Sequence, residues 1–209
     1  MGDIAKFCPV HLRPAIPHYV PLLLRSVLPE NTASSNNACW ALGEITFSSG
    51  TLVAPFVPDL VTALIPIITG RRMAASLLEN SAITLGRLAL VSPDAVAVHL
   101  PTLAQCWCSA LASVRAHQEK EAAFHGLCAV VRLNPNGMVS ALEWFIKAIA
   151  SCTATRTLCP RSGRTWCNRS TLKRSPFSSS TMRNHTSHQP NTDRLLMVLS
   201  LSLSLSLTW

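Results

Sequence analysis

Residues 1 to 152 predict an all-α solenoid of paired helices, and three observations carry that prediction. Two kinds of apolar segment alternate along the chain, they recur at a period of about 40 residues, and nothing in this stretch alternates with the period of a strand. The first kind sets a proline ahead of a leucine-rich run: "HYVPLLLRSVL" at 18 to 28, "PFVPDLVTALI" at 55 to 65 and "VHLPTLAQCWCSAL" at 98 to 111, with Pro21, Pro58 and Pro101 aligned. The second kind is "NNACWALGEI" at 36 to 45, "ENSAITLGRLAL" at 79 to 90 and "KEAAFHGLCAVV" at 120 to 131. In it Asn37 and Asn80 stand 43 residues apart, as do Gly43 and Gly86.

A two-helix unit of this length marks an α-solenoid of HEAT-type helical hairpin repeats, with the first (A) helix on the convex surface and the second (B) lining the concave one. The A helices are expected near 16 to 28, 54 to 69, 94 to 114 and 137 to 150. Their prolines fit the first turn, where the missing N–H has no intrahelical partner. The B helices are expected near 33 to 48, 73 to 91 and 118 to 132, which makes about three and a half repeats. "SSG" at 48 to 50, "TG" at 69 and 70, "SPD" at 92 to 94 and "NPNG" at 134 to 137 supply turn chemistry between them.

The remainder, 153 to 209, is of another kind. Residues 1 to 152 carry ten Lys/Arg against nine Asp/Glu, whereas the last 57 carry eight against Asp193 alone, so all but +1 of the net charge of +8 belongs to the tail. Rich in Ser, Thr, Arg and Asn, and without helical periodicity, it predicts disorder and no specific nucleic-acid partner. It ends in "LLMVLSLSLSLSLTW", 15 residues and short of the ~20 that a membrane span needs. Alternating Leu and Ser are what a run of CT dinucleotides encodes, so the sequence after Cys152 reads as translated non-coding sequence.

Catalytic signatures are absent: there is no GxSxG, P-loop, HExxH or GxGxxG, and the histidines lack metal spacing, so neither an enzyme nor a cofactor or metal site is expected. Eight cysteines without a CxxC pair read as reduced small hydrophobes of an intracellular protein. No secretory signal is visible at the N-terminus.

The informative chemistry lies in the B segments. If Ala38, Ala41, Leu42 and Ile45 face the core at i, i+3, i+4 and i+7, Trp40 falls on the opposite stripe with Asn36, Asn37 and Glu44. Burying Ala82, Leu85, Gly86 and Ala89 leaves Asn80, Ile83 and Arg87 on that stripe; burying Ala123, Gly126, Leu127 and Val130 leaves Phe124 and Cys128. Superposed, Trp40, Ile83 and Phe124 form an apolar ladder with rungs 8 to 10 Å apart, suited to an extended peptide. The asparagines would pair with its backbone, and Glu44 would attract a basic segment. The residues alone leave open that the apolar three are packing residues and that the asparagines brace turns.

"NNACWALGEI", "LLENSAITLGRLALVSP" and "AFHGLCAVVRLNPNG" resemble the C-terminal HEAT repeats of transportin, the karyopherin-β2 class of the importin-β superfamily of nuclear import receptors. The likeness covers about residues 2 to 150. It implies a carrier of cargo proteins with a proline-tyrosine nuclear localisation signal, found in cytoplasm and nucleus and able to engage nucleoporins. It also implies that Trp40 and Ile83 line the cargo groove beside Asn36, Asn37 and Asn80. Ran-GTP is a partner of the full-length family, through N-terminal repeats this sequence does not contain. The rival expectation is a truncated or mis-predicted gene product with no independent transport activity.

Overall fold

The computed structural model describes residues 1–115 and 118–153, and among these it consists of helices and turns with no strand. In chain order the α-helices are α1 (Gly2–Phe7), α2 (Pro9–Leu12), α3 (Ile16–Leu24), α4 (Thr32–Val53), α5 (Val57–Ile68), α6 (Ala75–Val91), α7 (Pro93–Ala97), α8 (Leu100–Ser113), α9 (Gln118–Leu133) and α10 (Leu142–Thr153). Short 3-10 turns at Arg13–Ala15, Ala54–Phe56 and Pro135–Ala141 lead into α3, α5 and α10. The all-α solenoid is therefore present as expected. Beyond Thr153, the tail with its Leu-Ser run lies outside the described residues.

Two layers account for the packing. The B helices α4, α6 and α9 lie side by side, with α1 against the other flank of α4. Behind them α3 rests on α4, α5 on α6, α8 on α6 and α9, and α10 on α8. Each A helix inserts a leucine or valine series into the seam: Leu60, Val61 and Leu64 of α5, and Leu100, Leu103 and Leu111 of α8, are all at most 1% exposed. Burying each such side chain contributes about 1.5–3 kcal/mol. Trp107 of α8, fully buried, donates its indole N–H to the carbonyl of Ala82 at 3.0 Å and so ties an A helix to the middle of α6. Lys120, 3% exposed, donates from α9 to the carbonyl of Val114 at 2.8 Å, where α8 has run out of intrahelical donors.

The repeat register differs from the predicted one at its first proline. Pro58 and Pro101 do sit in the first turns of α5 and α8, but in α3 that place is taken by Pro17, and Pro21 lies inside the helix. The segment "RPAIP" at 13 to 17 and the segment "APFVP" at 54 to 58 both make a 3-10 turn followed by a helix, which sets their offset at 41 residues. Two predicted boundaries also move. The third A segment is split into α7 and α8, because Pro101 has no N–H to continue a helix from Ala97 and restarts one in its own first turn. α4 runs through the predicted turn to Val53, with Ser49 alone non-helical (φ −148°, ψ 37°).

Glycines hold the B layer together. A Cβ on Gly43 would stand 2.6 Å from the hydroxyl of Thr84, one on Gly86 would overlap the backbone of Ala123, and one on Gly126 would overlap the carbonyl of Gly86. Gly2 presses in the same way on the ring of Trp40. Gly2, Gly43 and Gly86 thus occupy one repeat position, 41 and 43 residues apart, which identifies α1 as a further B-type helix.

The B row also curls. Four packed helices at 8–10 Å spacing would set α1 about 24–30 Å from α9 in a flat layer, farther than a lysine and a glutamate can span. Yet Lys6 Nζ lies 3.8 Å from Glu119 Oε1. The row is therefore concave on the face that carries these side chains.

Gly86→Ala and Gly126→Ala are expected to lower stability by about 1–3 kcal/mol in urea unfolding of the full chain, since the added methyl meets backbone that cannot move aside. At a helix position with free space the same change would raise stability by up to about 1 kcal/mol, so the sign of the shift decides.

Candidate peptide-binding groove

The glycine contacts define the register in which the concave face is read. Trp40 and Ile83 stand three residues before Gly43 and Gly86, on neighbouring B helices, and so form two rungs of one row. Trp40 is half-buried, its ring edge resting on Gly2. Ile83 lies in the same row but is hemmed in by α4 and α9, with 6% of its surface exposed. Beside Trp40, on the α1 flank, is a cleft of about 420 Å³ between α1, α3 and α4, lined by Met1, Leu23, Ser34 and Asn37 among others.

Phe124 does not continue this row. Like Ile83, it is closed in by its neighbours and is not an open rung. Phe124 is itself 8% exposed and part of the core.

Glu44 is likewise not an open carboxylate. It is 4% exposed, and Arg87 Nη1 donates to its Oε1 at 2.8 Å. Arg87 Nη2 lies 3.9 Å from Glu119 Oε1, which Lys6 also approaches, so an ionic chain Glu44–Arg87–Glu119–Lys6 crosses the floor of the groove. The opposite charges of Glu44 and Arg87 sit one repeat apart, at the 43-residue spacing of Asn37 and Asn80; that spacing was the available signal for the pair. The asparagines divide between two roles. Asn80 donates from its Nδ2 to Oδ1 of Asn36 at 2.9 Å, bracing α6 against α4, while Asn37 is exposed next to Trp40.

No group of His, Cys, Asp or Glu suited to a metal occurs among the described residues. Cys8, Cys39, Cys106, Cys108 and Cys128 are free thiols. Burial pushes the Cys39 thiol above its usual range, and burial together with the neighbouring Cys128 pushes Cys108 up to about 12.

No family-level sequence model matches the chain. Individual proteins do: transportin-1 of Oryza sativa is 44% identical over 156 residues, 72% of this chain and 18% of the relative. Transportin-1 of Homo sapiens is 38% identical over 151 residues (72% and 17%), and importin subunit beta-2 of Schizosaccharomyces pombe is 33% identical over 156 (72% and 17%). The matched stretch is a transportin-family segment. The chain spans less than a fifth of the length of these transportins, and its helical repeats are those of the importin-β superfamily.

Two outcomes test this geometry. Arg87→Met leaves the Glu44 carboxylate buried without a partner and is expected to cost about 3–5 kcal/mol, most of it recovered in the Glu44→Leu/Arg87→Met double variant, by denaturant titration. Thiol labelling of the native chain at pH 8, with peptide mapping, is expected to modify exposed Cys8 and to spare Cys39 and Cys108, which are fully buried and whose thiols burial disfavours ionising.

Proposed function

We propose that this segment belongs to a nuclear import receptor and binds cargo bearing a proline-tyrosine nuclear localisation signal on the concave face of its B helices. The observation that carries this reading is Trp40: a large indole held half-exposed on the groove wall, backed by Gly2, with the unengaged amide of Asn37 beside it. A tryptophan so placed is the commonest kind of binding anchor. Ile83, 6% exposed, backs Trp40 from the core side, and the Asn36–Asn80 pair presents further amide groups at the seam of α4 and α6. Glu44 enters as the partner of Arg87, so its attraction for a basic cargo segment is offset by that guanidinium. The site is one of recognition, without a catalytic step. Nucleoporins and Ran-GTP are partners proposed for the whole receptor, shuttling between cytoplasm and nucleus.

Titration of a fluorescently labelled proline-tyrosine signal peptide with the full 209-residue chain tests the reading. Saturable binding is expected, weakened at least about 30-fold by Trp40→Ala, the equivalent of a loss of about 2 kcal/mol. No saturable binding, or equal binding by the variant, contradicts it.

The second reading, a segment with no transport activity of its own, draws on Ile4, Phe7 and Val10, which are 46%, 72% and 67% exposed at the α1–α2 end where a neighbouring repeat would cover them. It predicts a broad, non-cooperative thermal transition by circular dichroism, whereas a single sharp one disfavours it.

A further inference from the structure

The two outer members of the B row, α1 and α9, meet at a contact that skips α4 and α6. Lys6 Nζ and Glu119 Oε1 lie 3.8 Å apart, with side chains 45% and 28% exposed. The two ends of this contact are held differently. Next to Glu119, Lys120 donates to the carbonyls of Val114 at 2.8 Å and Ala112 at 3.4 Å, which ties the first turn of α9 to the end of α8. Arg87 Nη2 stands 3.9 Å from the Glu119 carboxylate, and Arg87 is itself anchored by Glu44, both side chains being 5% exposed. Lys6 rides on a lighter element. α1 has six residues, packs mainly on α4, and is seated there by Gly2 against the Trp40 ring.

We infer that the Lys6–Glu119 pair is an ionic clasp that sets the curl of the B row: closed, it draws α1 toward α9, and opened, it lets α1 swing outward on its Gly2–Trp40 seat so that the concave face widens. The close seams bend the row, and the clasp holds its α1 edge. In a solenoid each repeat touches only its neighbours, so a bond that bypasses two helices acts on the curvature of the whole array. A partly exposed ion pair shifts an equilibrium by no more than about fivefold, which redistributes a bending motion without unfolding the helices. Ionic strength controls the clasp. The screening length falls from ~8 Å at about 0.15 M salt to ~3 Å at about 1 M, below the 3.8 Å separation of the pair. The Glu44–Arg87 pair lies out of water and is screened much less. Salt therefore opens the outer link and leaves the inner one closed.

The test measures the α1–α9 distance in the full chain by pulsed electron paramagnetic resonance, with spin-labelled unnatural residues in place of Phe7 and His125, both exposed. From low salt to about 1 M NaCl the distance is expected to lengthen by at least about 5 Å, toward the roughly 24–30 Å of a flat four-helix row. Lys6→Met is expected to show the long distance at both salt concentrations with an unchanged thermal midpoint. Lys6→Arg, which keeps the charge, is expected to restore the short distance and its response to salt. A role confined to stability would move the midpoint and leave the distance alone. Equal distances in wild type and Lys6→Met at low salt overturn the clasp. So does a salt-driven lengthening of the same size in Lys6→Met, which would place the salt effect elsewhere in the row.

Discussion

Close approach of the B helices is the constraint on which the rest of the molecule depends. Gly86 and Gly126 meet backbone to backbone, and Gly43 admits the Thr84 side chain, which donates to the carbonyl of Cys39 at 2.7 Å. Without a side chain at these points the helices come near enough for short side chains on their flanks to touch across the seam: Asn36 with Asn80, Ser81 with Cys39, Glu44 with Arg87. Any added methyl would push the helices apart and lengthen every one of these contacts together. The curl of the row follows from the same closeness, because it brings Lys6 of α1 to Glu119 of α9.

Burial of the ion pair is affordable only in that setting. Arg87 and Glu44 are each about 5% exposed at the side chain, and removing two ions from water costs several kcal/mol apiece unless their geometry is close. One 2.8 Å hydrogen bond, the second carboxylate of Glu119 and the ring of Phe47 surround the guanidinium, while its Nε has no partner. The pair adds little net stability by this account and instead fixes how α4 and α6 face each other. The two members of the pair cancel each other's charge at the seam of α4 and α6.

Much of the fold was legible in the sequence, because the two-helix period and the turn residues are local signals. α3, α5, α6 and α9 fall within a few residues of where the apolar pattern places them. Trp40 was legible as an outward residue for the same reason: the buried stripe of Ala38, Ala41, Leu42 and Ile45 is unambiguous. What the pattern could not resolve was register between helices. Pro17, not Pro21, holds the first turn of α3, a difference the pattern missed because leucine-rich runs look alike after a shift of four positions; Phe124 lies in the core because its helix packs on that side as well. Glycines are the better rulers, since only backbone contact demands them. Arg87 was legible as an outward residue, but its pairing with Glu44 and its contact with Phe47 were not, because a partner on a neighbouring helix is invisible to a single-helix reading.

The account places the ligand on one face of one layer, and hydrogen–deuterium exchange of the full chain with and without a proline-tyrosine signal peptide tests that placement most directly. It predicts added protection in α4 between about residues 36 and 47 and in α6 between about 79 and 90, with α5 and α8 unchanged behind them. Protection confined to α5 and α8, or spread evenly over both layers, would contradict it.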